Sequence, residues 1–439
     1  AGSCGDDLVP GPPVAAPTSG TRLVALWYGY DGGARQLRHD QVFDLVERAP
    51  CRPLRWADGV LRCSPIADEA VFTDAACSRA VGRAHSDAKP THFIGYDRIE
   101  RVLTPARLYR AGDRIDPINV LYERRDGVCT GPFTAAGGIV HYALTAQVDV
   151  TTLPAITDAV DSAGDDGARL GLERWQSADG LSLPASLYDR ELQTACDPVV
   201  DGDGVTRCHP HAPLHTNRYS DAACTKPVYL AAAPPADGVL ELTDAGGCQA
   251  AYRIGDELTG PVFSLEPGGC FAGTTNGERV FDASTPAELA VLDRTVEDEP
   301  RRRLQRIVLS AGGLRVADDR MFDSASGVDC RPTDVDGVTR CLPETVAATS
   351  TELFGAESCA AAVPVALLPQ PTCRPARFAH APGAPTAALQ LIGDPRAAGL
   401  YFLLGTCRPF AAPAGQAVYD LGPAVAPTLF VRAVQFGAR

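Results

Sequence analysis

The chain has 439 residues, a formal net charge of −14, 42 glycines, 36 prolines and 15 cysteines. The acidic balance argues against nucleic acid or an anionic membrane surface as a partner, because phosphate binding needs a basic face. No apolar run of about 18 residues predicts a transmembrane helix, and the frequent glycines and prolines favour short strands over long helices.

The first twenty residues predict a tether. Cys4 follows Ala-Gly-Ser, which looks like the end of a bacterial lipoprotein signal whose cysteine becomes the acylated N-terminus. The Pro/Gly-rich stretch up to Gly20 predicts a flexible linker. The alternative is a signal-peptidase remnant in which Cys4 is free or paired. Together with the cysteine count, this favours an oxidising, extracellular or outer-membrane location, with membrane contact only through a lipid anchor.

The next pattern is a cysteine-bounded hairpin that recurs three times. Each copy has a cysteine, an Asp-Gly pair and an Arg-Cys ending. Asp-Gly between two short apolar runs predicts a β-hairpin, because the tight turn needs positive φ. We therefore predict three hairpins, each closed by a disulfide: Cys51–Cys63, Cys196–Cys208 and Cys330–Cys341.

Each hairpin lies within the same succession of motifs. An Arg-Leu pair opens a strand, and a Phe-Asp or Tyr-Asp pair follows seven residues before the hairpin cysteine, at Asp44, Asp189 and Asp323. The first hairpin cysteines of successive copies are 145 and 134 residues apart. The chain therefore predicts a tether at 1–20 and three repeats at 21–168, 169–302 and 303–439.

Each repeat has about eight strand-length segments, which predicts an all-β fold. Two four-stranded sheets per repeat would make six sheets, and their radial packing would be a six-bladed β-propeller. In that ring the C-terminal segment 431–439 pairs with the N-terminal strand. The alternative is three separate small β-barrel or sandwich domains, each stapled by its own disulfides.

The remaining cysteines allow two pairings, and the sequence does not decide between them. The first pairing is Cys224–Cys248, Cys359–Cys373, Cys77–Cys129 and Cys270–Cys407. The second pairing is Cys77–Cys129, Cys224–Cys270 and Cys359–Cys407, with Cys248 and Cys373 left over. No Cys-x-x-Cys spacing predicts a zinc site.

A histidine cluster directly follows the second hairpin. His209, His211 and His215 could offer imidazoles to one divalent metal. The alternative is a polar, proline-rich surface loop, and the sequence as a whole requires no cofactor. Asp201 and Asp203 look like a fragment of a calcium loop but lack the further oxygen ligands, which favours a plain turn.

Two tryptophans occupy matching places in the first two repeats. Trp27 and Trp175 are candidates for stacking on a sugar ring, and the alternative is that both belong to the core. No serine-nucleophile, nucleotide-loop or metalloprotease motif is present, so no catalytic residue is assigned.

The repeated motifs resemble uncharacterised cysteine-rich repeats in predicted secreted or surface lipoproteins of myxobacteria-like Gram-negative bacteria. The resemblance implies a surface location and a repeat architecture, and it transfers no site residue. We expect a non-enzymatic extracellular binding protein with a glycan or protein ligand at the cell surface. The alternatives are a secreted hydrolase with acidic residues around a central channel, and a structural component of an extracellular assembly.

Overall fold

The protein is represented by a computed structural model, and the expected all-β class is confirmed in the residues that it describes. These are residues 14–85, 90–99, 102–115, 118–125, 127–134, 138–161, 168–201, 203–210, 214–215, 218–231, 238–243, 249–266, 269–275, 277–297, 302–335, 337–343, 349–350, 353–360, 363, 365–369, 378–380, 389–396, 399–404, 406–410, 412 and 416–438. Their regular structure is strand throughout, apart from two 3₁₀ turns at Val150–Thr152 and Pro427–Leu429. In this part of the chain no helix is long and apolar enough to cross a membrane.

The first repeat contains a four-stranded meander and a barrel. The meander consists of β1 (Leu23–Tyr30), β2 (Arg35–Asp44), β3 (Ala49–Arg55) and β4 (Leu61–Pro65). The barrel region consists of β5 (Asp68–Phe72), β6 (Ala80–His85), β7 (His92–Ile99), β8 (Val102–Ile115), β9 (Val120–Arg125), β10 (Val128–Thr134) and β11 (Ile139–Val148). Strands β5, β6, β11, β8 and β7 pair in that order, and β7 pairs back with β5. These pairings close a five-stranded barrel.

The other two repeats also begin with a four-stranded meander. Strand β12 (Thr157–Asp161) ends the first repeat. The second comprises β13 (Leu170–Gln176), β14 (Ser182–Asp189), β15 (Thr194–Val200), β16 (Thr206–Pro210), β17 (Leu214–His215), β18 (Arg218–Tyr219), β19 (Val228–Ala231), β20 (Val239–Thr243), β21 (Gln249–Arg253), β22 (Glu257–Leu258), β23 (Val262–Glu266), β24 (Gly269–Gly273), β25 (Arg279–Asp282), β26 (Thr285–Pro286) and β27 (Val291–Glu297). The third comprises β28 (Leu304–Ala311), β29 (Leu314–Asp323), β30 (Val328–Val335), β31 (Val338–Pro343), β32 (Thr349–Ser350), β33 (Leu353–Phe354), β34 (Val365–Pro369), β35 (Phe378–His380), β36 (Leu389–Pro395), β37 (Tyr401–Leu404), β38 (Thr406–Pro409), β39 (Gln416–Val425) and β40 (Ala433–Ala438).

The three meanders join in a closed ring. Each gains a fifth strand, because β40 pairs with β1, β12 with β13 and β27 with β28. Strand β16 also pairs with β27, and the single bridges Arg62↔Ala155 and Arg340↔Arg432 lie at the other two joints. The expected pairing of the terminal strands is therefore confirmed, with Ala25 opposite Ala438 and Tyr30 opposite Ala433.

This ring differs from both expected architectures. The repeats are joined by strand pairing rather than separate, although the barrel in the first repeat matches the small barrel of the alternative expectation. Five-stranded meanders, each followed by a further group of strands, do not confirm a six-bladed propeller, whose blades would have four strands.

The three largest hydrophobic clusters of the described chain lie between neighbouring repeats. One cluster joins Leu23 of the first repeat to Leu183 of the second, and another joins Leu187 of the second to Ile307 of the third. A further cluster between the third and first repeats contains Met321 and closes the circle. Leu23, Leu183 and Ile307 are each 0% exposed. Because burial of such a side chain contributes about 1.5–3 kcal/mol, these clusters hold the repeats together.

The repeated Arg-Leu and Phe/Tyr-Asp motifs form a buried ion pair in each repeat. In the second repeat, Arg169 Nε and Nη2 donate to the Asp189 carboxylate at 2.8–3.0 Å. The backbone N–H groups of Glu191 and Leu192 also donate to Asp189 Oδ1, at 2.9 and 3.2 Å. The equivalent pairs in the other repeats are Arg22–Asp44 and Arg303–Asp323. These motifs are structural, since they fix the turn after the second meander strand.

The three hairpin disulfides are confirmed. They are Cys51–Cys63, Cys196–Cys208 and Cys330–Cys341, across β3–β4, β15–β16 and β30–β31. The turn glycines Gly59, Gly204 and Gly337 have φ of 79°, 79° and 75°, as an Asp-Gly hairpin turn requires.

The other described disulfides follow the second of the two pairings. They are Cys77–Cys129, Cys224–Cys270 and Cys359–Cys407. The first pairing is wrong except for Cys77–Cys129, because Cys224 and Cys359 lie on loops that pack against the β23–β24 and β37–β38 hairpins of their own repeats, as Cys77 does against β9–β10. Cys248 and Cys373 lie outside the described residues. Cys4 does as well, so its acylation stays a prediction.

Candidate functional site

The second strand of each meander bulges where the three repeats meet. Strand β2 contacts both β14 and β29, and β29 contacts β13. Each of the three strands loses register with its neighbour, which leaves residues 38–41, 185 and 318–320 outside the regular pairing. Bulges re-aim side chains and are common beside active sites. The bulges differ in length, so the centre of the ring is not three-fold symmetric.

A cavity of about 620 Å³ lies at this junction. Its lining includes His39 and Asp40 from β2, Ser186 from β14, Asp319 from β29, and Trp175 from β13. The volume falls within the range of about 300–1,000 Å³ that is typical of small-molecule sites. We call this space the central cavity.

One wall of the central cavity holds a buried ion pair. Arg320 Nε donates to Asp318 Oδ1 at 2.9 Å, and Nη2 donates to Oδ2 at 2.6 Å. The two side chains are 4% and 0% exposed. Burial opposes the charge on Asp318, but the hydrogen bonds and charge of Arg320 outweigh it and hold the pKa of Asp318 below its ordinary value. Asp318 is therefore ionised at neutral pH.

Asp319 beside it has the opposite behaviour. Its side chain is 46% exposed, and Arg331 Nη2 lies 3.2 Å from Oδ1. Protein surrounds the carboxyl elsewhere, and this burial raises its pKa to about 7, with further upward contributions from the hydrogen bond and charge of Asp318. The charge of Arg331 acts in the other direction. Two adjacent carboxyls thus differ in protonation at neutral pH.

His39 presents an acceptor that has no partner in the described structure. Its Nδ1 lies 3.0 Å from the carbonyl oxygen of Pro184, which assigns the proton to Nδ1. Burial lowers the pKa of His39, although the Pro184 carbonyl and the charges of Asp318 and Asp40 oppose the shift. The ring is therefore neutral, and its buried Nε2 makes no hydrogen bond. A buried polar atom without a partner costs free energy.

Of the two tryptophans, one lies at the central cavity. Trp175 lines it and packs against the buried cluster that includes Leu183. Trp27 packs against the same cluster and pairs through its backbone with Leu37 and Phe436. Both side chains are half-buried. This arrangement is compatible with a stacking role for Trp175, which stays a prediction.

The histidine cluster is brought together only in part. His209 is 2% exposed, and its Nε2 lies 2.8 Å from Asp201 Oδ1, so that it belongs to the second hairpin. His215 lies on β17, and His211 lies outside the described residues. Within the described ranges no group of three or more His, Cys, Asp or Glu could hold a metal. The metal site that includes His211 stays a prediction.

The sequence patterns did not predict a site at the central carboxyls or at His39, although the sequence contains a signal for the carboxyls. The copies differ just before the Phe/Tyr-Asp pair, where the third repeat has Asp318, Asp319 and Arg320. Three consecutive charged residues cannot alternate between the two faces of a strand without placing charge in the core. That conflict indicates a bulge.

The chain matches the model of a family described as "Family of unknown function (DUF7481)" over residues 1–430, and it belongs to that family. No curated protein and no solved structure matches it. The family match does not address a bacterial source, lipidation or an internal repeat, so these parts of the resemblance stay predictions.

Proposed function

We propose that this protein is a non-enzymatic extracellular binding protein that holds a glycan in the central cavity. The observation that carries the proposal is the asymmetric cavity at the junction of three repeats, which combines an indole face with several kinds of polar group. The disulfides Cys51–Cys63 and Cys77–Cys129, with four more in the described residues, fit an oxidising extracellular environment.

The chemistry of the lining favours a neutral polyhydroxyl ligand. The Asp319 carboxyl can donate to or accept from a sugar hydroxyl according to its protonation. Trp175 offers an apolar face to the C–H side of a pyranose ring. The lining also carries four aspartates and three arginines, so its charges nearly balance: Asp40, Asp197, Asp318, Asp319, Arg52, Arg320 and Arg331. A strongly charged ligand would gain little from such a lining.

A glycan array with the disulfide-intact protein, followed by calorimetry of the best ligand, tests the proposal. We expect Trp175→Ala to weaken binding by about tenfold, since ring stacking contributes roughly 0.5–1.5 kcal/mol beyond burial. Trp27→Ala is the matched control, because Trp27 packs against the same cluster at the equivalent place. Equal losses in both variants, or no retained glycan, would contradict the proposal.

A second candidate is a secreted hydrolase, and the Asp318–Asp319 pair favours it. A general acid must hold a proton near the working pH beside a group that stays ionised, and these two carboxyls have that relation. Prolonged incubation with the glycan found on the array separates the two functions. A ligand recovered intact supports the binding protein, whereas cleavage that Asp319→Asn abolishes supports the hydrolase.

A further inference from the structure

A second cavity lies where the third repeat meets the first. It has a volume of about 300 Å³ and is bordered by Arg35, Arg302 and Arg306. Its other lining residues are Gly33, Ala34, Leu304 and Met321. Every charged side chain in this described lining is therefore an arginine, in a chain whose net charge is −14. We call this space the arginine cavity.

Arg306 has no arginine counterpart in the other two repeats. The buried ion pairs align Arg303 with Arg22 and Arg169, so that Arg306 takes the place of Ala25 and Leu172. Strand pairing agrees, since each of these residues lies opposite the residue two before the buried aspartate. Ala25 and Leu172 are 1% and 2% exposed. A position that belongs to the hydrophobic core in two repeats is thus occupied in the third by an arginine that lines the cavity.

Neighbouring groups hold two of the guanidinium groups in place. Arg35 lies over the ring of Phe436, with its Cζ 5.4 Å from the centroid. Arg306 Nη1 lies 3.6 Å from Glu297 Oε2, and its side chain remains 38% exposed. Arg35 comes from the first repeat and Phe436 from β40 of the third, so the cavity exists only when the ring is closed.

We propose that the arginine cavity binds an oxyanion group, either phosphate or sulfate. Guanidinium groups offer planar pairs of N–H donors that match two oxygens of such a group. Three of them around one volume can meet several oxygens of a tetrahedral anion. The proposal is independent of the glycan in the central cavity, because it uses different residues. The oxyanion could be a free ion, or part of a modified saccharide or a lipid headgroup.

Calorimetry of the full chain with inorganic phosphate and inorganic sulfate tests this proposal, with chloride at equal ionic strength as the reference. We expect both oxyanions to bind. Arg306→Gln and Arg302→Gln should each weaken binding by about tenfold, as loss of one charge-assisted hydrogen bond implies. Arg306→Lys should lose less than Arg306→Gln, because it keeps the charge but not the paired donors.

Arg55→Gln is the matched control. Arg55 is 63% exposed and lies 4.0 Å from Asp158, so this change removes the same charge elsewhere. Equal weakening by Arg55→Gln and Arg306→Gln would overturn the proposal, and so would oxyanions that bind no better than chloride. Further titrations with a sulfated oligosaccharide and with phosphatidylglycerol vesicles identify the molecule that carries the oxyanion. Only that molecule should bind more tightly than the free ion. Its additional affinity should disappear in Arg306→Gln.

Discussion

Removal of one buried carboxylate measures whether the three repeats unfold together. Asp189 is 0% exposed and accepts hydrogen bonds from Arg169 and from two backbone N–H groups. Removal of one partner of a buried ion pair costs about 3–5 kcal/mol. Arg169 is 24% exposed and lies 3.3 Å from Glu191, so part of its charge stays compensated. We therefore expect Asp189→Ala to cost about 3 kcal/mol, at the lower end of that range.

The melting temperature converts this cost into a test of cooperativity. The entropy of unfolding is about 2.1 cal/mol/K per residue, so one independent repeat of about 140 residues would have about 0.3 kcal/mol/K. A loss of about 3 kcal/mol would then lower its melting temperature by about 10 °C. The whole chain has about 0.9 kcal/mol/K if it unfolds as one unit, and the expected shift is only about 3 °C.

Differential scanning calorimetry of Asp44→Ala, Asp189→Ala and Asp323→Ala distinguishes these cases. In a closed ring all three variants should shift one common transition by a similar amount. Asp203→Ala is the control, since Asp203 lies on an exposed turn, where it pairs with Arg207 and accepts a hydrogen bond from the Val205 N–H, and it should change the transition little. A variant that moves one of several transitions by about 10 °C, and leaves the rest in place, would refute the closed ring.

Two further changes test the central cavity and the disulfide framework. The pKa of Asp319 is raised to about 7 when folded, so its ionisation disfavours the folded state as pH rises from about 4 to about 7. Asp319→Asn should therefore match the wild type near pH 4 and exceed it in urea midpoint at pH 8, and an unchanged difference would contradict the raised pKa. Replacement of Cys224 and Cys270 by serine opens a 46-residue separation, against 12 for Cys196 and Cys208. In the chain-entropy model the costs are about 4 and about 3 kcal/mol, and a smaller cost for the longer loop would contradict that model here.

Local features of the fold could be predicted from the sequence because they depend on nearby residues. The Asp-Gly turn and its flanking cysteines fixed each hairpin, as Cys196–Cys208 illustrates. Ring closure was also predictable, since the last strand-like segment, now β40, lies where the next repeat would begin. In the sequence, Arg169 and Asp189 belong to two recurring motifs, and only the structure shows that these motifs form an ion pair.

Pairing between distant strands could not be predicted. Eight strand-length segments per repeat do not specify which segments share a sheet, because each backbone offers the same donors and acceptors. The transfer of β12 and β27 to the next meander is therefore invisible in the sequence. The barrel of the first repeat was likewise not specified, as it depends on the parallel pairing of β5 with β7.

The candidate site was predicted only at Trp175. His39, Asp318 and Asp319 lie on bulges whose lengths differ among repeats, and a bulge depends on the register of two strands. The same bulges bring residues about 280 positions apart to one cavity, as the hydrogen bond from Gln36 to the backbone oxygen of Asp319 shows. The arginine cavity could not be predicted for a related reason, since Arg35 and Arg306 come together only where the third repeat meets the first.

Calorimetry of a chain that ends at residue 430, and so lacks β40, tests ring closure most directly. Strand β40 pairs with β1 from Ala25 to Tyr30, and Ala433 belongs to the cluster that joins the third repeat to the first. The account requires that the single cooperative transition of the full chain is lost or moves to a much lower temperature. A shortened chain that melts as the full chain does would contradict the closed ring and the cavity at its centre.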